Sequence, residues 1–241
     1  KAKDILVFYQ NRFGAFPFDR LSFVHRLWAS GGGHSPASFI VLNEIPWAEE
    51  RDRPLNPDSP VNLTRWNEYF LAHEIAHQWW GQGVSWDSYR DQWLSEGLAQ
   101  YSAALYLKEK YGEDAFRSIL KKFSKWTEKK SGKGPIIMGS LLSFYDFDGY
   151  QAVIYDKSSL VLNMLRELLG DETFFASLRR FFRDHARGEA RTEQFISSLE
   201  TSAGRGLQPF FRPWFFSYEL PHVRIFSSGA GNGRDYELRI R

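Results

Sequence analysis

The chain has 241 residues, 43% hydrophobic and 25% charged, with a formal net charge of +2, a globular balance at a length that suits one large domain or two small ones. Its basic residues are dispersed, which excludes the continuous basic footprint of a nucleic-acid binder, and no apolar run approaches the ~18 residues of a membrane span. Cysteine is absent, so disulfides and thiolate ligands are excluded and any metal falls to histidines and carboxylates.

In chain order, residues 5–13 read as the end of a helix, and FGAFPFDR as a loop punctuated by Gly and Pro. Leu21 to Trp28 and Ser38 to Leu42 are short apolar strands separated by Gly31, Gly32 and Gly33. The Pro-rich, charged stretch Glu44 to Pro60 reads as an exposed loop. Asn62 is then an N-cap, and Leu63, Trp66, Phe70, Ile75 and Trp79 recur at helical spacing until Gly81 stops the helix. A second helix runs from Trp93 to Lys110, with others at Asp114–Lys129, Ala152–Leu169, Glu172–Ala186, Thr192–Ser202 and Arg205–Tyr218. From Val223 the pattern predicts two strands around a Gly-rich turn. The basic residues between Lys121 and Lys133 are interrupted by Phe123, Trp126 and Glu128, as on the solvated face of a helix.

The chemistry concentrates in HEIAH. His73 and His77 stand four residues apart, so a helix sets both imidazoles on one face, where they can share a metal. A chance match to this pattern is expected on the order of 0.01 times in such a chain. Catalytic zinc takes three protein ligands and leaves a position for water. Glu96, beyond an eighteen-residue gap in the apolar stretch WLSEGLAQY, is the candidate third ligand, since a carboxylate there is costly without a partner. One zinc ion held by His73, His77 and Glu96 would activate a water whose proton Glu74 takes as general base. The group that holds each imidazole's other nitrogen falls near Asp91 or Ser95. His25, His185 and His222 lack ligand spacing.

HEIAHQWWG, the eighteen-residue gap and WLSEGLAQY together resemble the aminopeptidase N and leukotriene hydrolase family of gluzincin zinc metallopeptidases, with Ser95 where the family often has Asn. The resemblance runs from about Phe13 to Arg224. It implies an α+β, mainly α, thermolysin-like catalytic domain, a small sheet beside a helical body, over residues 1–222. Residues 223–241 are then the start of a following β domain. The resemblance implies neighbouring β domains in a longer protein, of which a chain without an initial Met is a piece.

Two further sites follow from the resemblance. AVIYDKSS is similar to the family's Y-x-K-G element, which makes Tyr155 the hydroxyl that stabilises the tetrahedral transition state. GGGHSPASFIVL takes the place of the G-A-M-E-N strand, so Gly31, Gly32, Gly33 and His34 would bind substrate, with His34 where the amine-anchoring glutamate stands. An imidazole is a poor anchor for an ammonium ion. The implied activity is hydrolysis of a peptide or protein substrate, with exopeptidase and endopeptidase cleavage both open. The alternatives are a zinc hydrolase acting on a non-peptide electrophile and a non-catalytic scaffold or interaction domain.

Overall fold

The computed structural model describes residues 1–26, 33–43, 68–218, 223–227 and 236–240. The expected loop at 44–60 and the helix start at Asn62 lie outside them, as do Gly31 and Gly32. The architecture is α+β and mainly α. Helices α1 (Ala2–Phe13), α2 (Glu68–Ala76), α3 (Trp93–Tyr111), α4 (Glu113–Lys130), α6 (Ser158–Leu169), α7 (Asp171–His185) and α8 (Thr192–Ala203) form the body, with short α5 (Phe147–Tyr150) and α9 (Gln208–Phe211). No helix among the described residues is long and apolar enough to cross a membrane.

The high aromatic content goes into the helical core. Ile5, Tyr9 and Phe13 recur every four residues of α1 and are fully buried, against α2 and α7. Trp79, Trp80 and Trp93 are also fully buried. Each finds an acceptor for its indole N–H, at Gly14 O (3.0 Å), Ser102 Oγ (3.1 Å) and Thr192 Oγ1 (2.9 Å). A buried indole therefore contributes its apolar area without leaving a donor unsatisfied.

A small mixed sheet lies against α2. Strand β1 (Ser22–Arg26) pairs in parallel with β3 (Phe39–Asn43), and β2 (Gly33–His34) pairs antiparallel with β3 on its other side, Gly33 opposite Leu42 and His34 opposite Val41. Ile40 and Leu42 are buried, which fixes the face of the sheet that packs on the helices. Among the described strands β2 is therefore an edge. The two strands expected from Val223 are present as β6 (Val223–Ser227) and β7 (Tyr236–Ile240), an antiparallel pair.

The structure differs from the sequence expectations at four places. Strands β4 (Val84–Trp86) and β5 (Gly188–Ala190) pair in parallel, but three residues are too few to show a period. Residues Ile136–Phe144 form a 3₁₀ stretch for which no element was expected. Gln151–Lys157, which overlaps the start of the helix expected at Ala152–Leu169, is a π-turn between α5 and α6. Arg205–Tyr218 is helical only from Gln208 and ends in a second π-turn at Phe216, while α8 stops at Gly204 in a left-handed conformation (φ +63).

Candidate active site

The α-helical pattern of α2 ends at Ala76, yet His77 N still donates to His73 O at 3.3 Å, so the four-residue relation of the two imidazoles survives. Glu96 comes from the first turn of α3, which packs on α2. His73 Nε2 and His77 Nε2 lie 3.1 Å apart, and Glu96 Oε2 lies 3.5 Å from the first and 3.2 Å from the second. A tetrahedron with metal bonds of about 2.1 Å has edges of about 3.4 Å, so this triangle fits one face of a zinc site. It is also the group among the described residues that can hold a metal ion.

The tautomer suits that role. His77 Nδ1 sits 3.1 Å from the Trp80 carbonyl and 3.1 Å from Ser95 Oγ, which itself donates to the same carbonyl at 3.1 Å. A carbonyl only accepts, so Nδ1 carries the proton and the Nε2 lone pair is left for a metal. Ser95 thus fills the supporting role, whereas Asp91 turns away and accepts from Ser88 Oγ and from the Thr192 N–H and hydroxyl. Gly81 makes room, since a β-carbon there would lie 2.5 Å from Ser95 Oγ. Burial disfavours the charged form of His77, but the Glu96 carboxylate outweighs it and lifts the imidazole to about 9. Burial likewise opposes ionisation of Glu96, and the two imidazoles overcome it, holding that carboxyl far below its usual range. The cluster is thus built to hold positive charge.

Tyr155 reaches the same place from the π-turn. Its ring stacks on His73 at 5.9 Å with 15° between planes, and on its other side meets Tyr150 at 5.5 Å. Burial first, then the Glu96 carboxylate, push its phenol well above 10, so it keeps its proton as a donor. The approach of the π-turn to α3 depends on Gly97, where a β-carbon would lie 2.6 Å from Ser158 Cβ and 3.2 Å from Ile154 O. Ser159 Oγ donates to Tyr155 O at 2.7 Å and lies 3.2 Å from Gly97 O, and Gln100 Nε2 donates to buried Asp156 Oδ1 at 3.0 Å. These contacts lock the turn that carries Tyr155 to the helix that carries Glu96.

Glu74, buried on α2, faces the edge strand. A β-carbon at Gly33 would lie 2.8 Å from Glu74 Cδ and 3.0 Å from Phe70 Cζ, an approach only glycine permits. The pleat sets His34 on the opposite face, where it is exposed beside its partner Val41. The next site-facing residue is Ser35, whose hydroxyl donates to Glu74 Oε2. Sequence reasoning passed over Ser35, which gives no signal in a loop-like GHSPAS stretch.

The comparisons with known proteins bear on this geometry. The sequence profile described as the peptidase family M1 domain matches residues 40–214, more than half of the chain. The chain belongs to peptidase family M1. This M1 chain is 29% identical over 154 residues to aminopeptidase N of Streptomyces lividans, covering 60% of itself and 18% of that protein. It is 22% identical over 240 residues to aminopeptidase 2 of Candida albicans, covering 95% of itself and 25% of that protein. The M1 chain therefore spans about a quarter or less of these curated relatives. Among solved structures it is similar to aminopeptidase A of Legionella pneumophila in complex with aspartic acid, with a TM-score of 0.74 at 22% identity, over 99% of this chain and 26% of that one. It is similar as well to a mutant M1 zinc metallopeptidase of Deinococcus radiodurans bound to a Tyr-Ser-Ala substrate, with a TM-score of 0.69 at 20% identity, over 92% and 45% of the two chains. The fold is thus that of M1 metallopeptidase catalytic domains, and the cofactor the donor set fits is the family's single zinc.

Proposed function

We propose that this chain is the catalytic unit of a zinc peptidase whose general base is Glu74, whose oxyanion donor is Tyr155, and whose amine-anchoring segment is altered. The observation that carries the reading is that His73, His77 and Glu96 form one triangle of metal donors, with the Tyr155 ring stacked on His73 and buried Glu74 next to His73 on the same helix. Zinc held by His73, His77 and Glu96 would polarise the scissile carbonyl and bring the pKa of a water toward ~7. Glu74 accepts the proton of the attacking water and passes it to the leaving amine nitrogen. Tyr155 donates its hydrogen bond to the oxygen on which charge develops.

The edge that β2 leaves unpaired among the described strands, at Gly33 and His34, offers backbone groups to an extended peptide, and Gly31 and Gly32 precede it in the sequence. Its site-facing residues are Gly33 and Ser35, neither of them charged, so nothing at these positions demands a free α-amino group. Cleavage of N-blocked or internal bonds is the consequence. We assign residues 1–222 to the catalytic unit and 223–241 to the start of a following β domain, consistent with β6 and β7 pairing only with each other among the described strands.

Zinc content by elemental analysis, with cleavage of a free-amine and an N-blocked peptide, tests the reading. The expected result is one zinc per chain, cleavage of the blocked peptide, and losses of at least ~10²-fold for Glu74→Gln and about 10²-fold for Tyr155→Phe with zinc retained. A chain that binds zinc and cuts neither peptide refutes the peptidase, and cleavage of the free-amine peptide alone refutes the altered anchor.

A further inference from the structure

The edge strand that covers Glu74 also delivers a hydroxyl to it. Ser35 Oγ donates to Glu74 Oε2, while on the Oε1 side the Gly33 backbone closes in, so that a β-carbon there would lie 2.9 Å from Oε1. The segment that carries Ser35 is stapled to the helix that carries Glu74. Gln78, fully buried and one turn beyond Glu74, donates through Nε2 to Pro36 O at 3.1 Å and accepts at Oε1 from Ser38 N at 2.8 Å. Ser38 sits in the left-handed region at φ +62, which turns the chain back into β3, and its carbonyl accepts from Ser22 N at 2.9 Å. Three contacts, one from α2 and two from the turn that follows it, thus fix a short loop against a single carboxylate.

The geometry points to Ser35 as a positioning residue for the general base, a conclusion that rests on the reading of Glu74 above. The terminal torsion of a glutamate is broad and nearly two-fold, so an unrestrained carboxylate swings between orientations of which few aim an oxygen at the attacking water. A hydroxyl bonded to Oε2 removes that freedom. It occupies one oxygen and leaves Oε1 to take the proton. The contact costs no charge, and the hydroxyl is small enough to fit beside the Gly33 backbone.

The test compares Ser35→Ala and Ser35→Thr, each in wild-type and Glu74→Gln backgrounds, on an N-blocked peptide, with zinc content and thermal melting alongside. Ser35→Ala is expected to lower kcat about tenfold with KM within about twofold, with zinc content and melting unchanged. Ser35→Thr restores most of the rate. In the Glu74→Gln background Ser35→Ala costs nothing further, because the two residues act as one unit. Full activity in Ser35→Ala overturns the proposal alone, as does an equal loss in both backgrounds or a loss confined to KM or zinc content. A wild-type chain that cuts no peptide overturns the general-base reading and this one with it.

Discussion

Ser95 Oγ lies 3.1 Å from His77 Nδ1, and both converge on the Trp80 carbonyl. The orientation of one proposed metal ligand therefore hangs on a hydroxyl, with the carbonyl as a shared acceptor. His73 has no such prop among the described residues; its Nδ1 is buried without a partner, and its ring is placed by stacking on Tyr155.

Removing the hydroxyl should loosen the metal first. Ser95→Ala is expected to weaken zinc binding about tenfold, within the range for groups that orient a ligand, while the fold stays intact. Competition with a chromogenic chelator reads the affinity directly. An unchanged affinity would mean that the Trp80 carbonyl orients His77 by itself.

The two sides of β2 make opposite predictions. Gly33→Ala drives a methyl group into Glu74 and Phe70, at separations of 2.8 to 3.0 Å, so the carboxylate or the strand must shift. Its kcat should fall at least ~10-fold, as a displacement near 1 Å does. His34→Ala removes only an outward-facing ring and should change kcat/KM by less than about threefold. Steady-state kinetics on one peptide decides between them, and a larger loss for His34→Ala would place its imidazole on the substrate.

Acid should attack the structure through Glu68. Its side chain is 8% exposed and accepts from Lys110 Nζ and Tyr111 Oη, both at 2.9 Å, with Lys1 Nζ at 3.3 Å. Burial opposes its charge, but these bonds prevail and hold the carboxyl at about 2 instead of 4.5. A depressed folded value means stability that is present above the unfolded pKa and lost as pH falls from 4.5 toward 2. Glu68→Gln should cost on the order of 1 to 2 kcal/mol at pH 7 and show a flatter stability profile across that acid window. Urea unfolding at a series of pH values makes the comparison, and parallel profiles would remove Glu68 from the account.

Legibility in the sequence followed the range of the interaction. His73 and His77 lie one helical turn apart, and local periodicity alone puts them together. Glu96 needed the fixed gap as well, and Tyr155 needed the family resemblance, because nothing local marks one of eleven tyrosines. Ser35 and Glu74 are thirty-nine residues apart in sequence and meet only because a sheet edge crosses a helix, which no short pattern encodes. Strands β4 and β5 were invisible for a similar reason: each is three residues long, and each is a strand only in the other's company.

The π-turn at Gln151–Lys157 has a consequence for how this stretch tolerates change. Such a turn is an α-helix holding one residue too many. Deleting a single residue before Tyr155 would let α5 and α6 join as an ordinary helix, keeping both flanks while swinging the phenol by about one residue's rotation, ~100°. Residue number there is thus a stricter constraint than residue type. Natural or engineered length variation between Tyr150 and Ser158 would displace the proposed oxyanion donor, and with it the ring that stacks on His73, in a protein that otherwise keeps its fold.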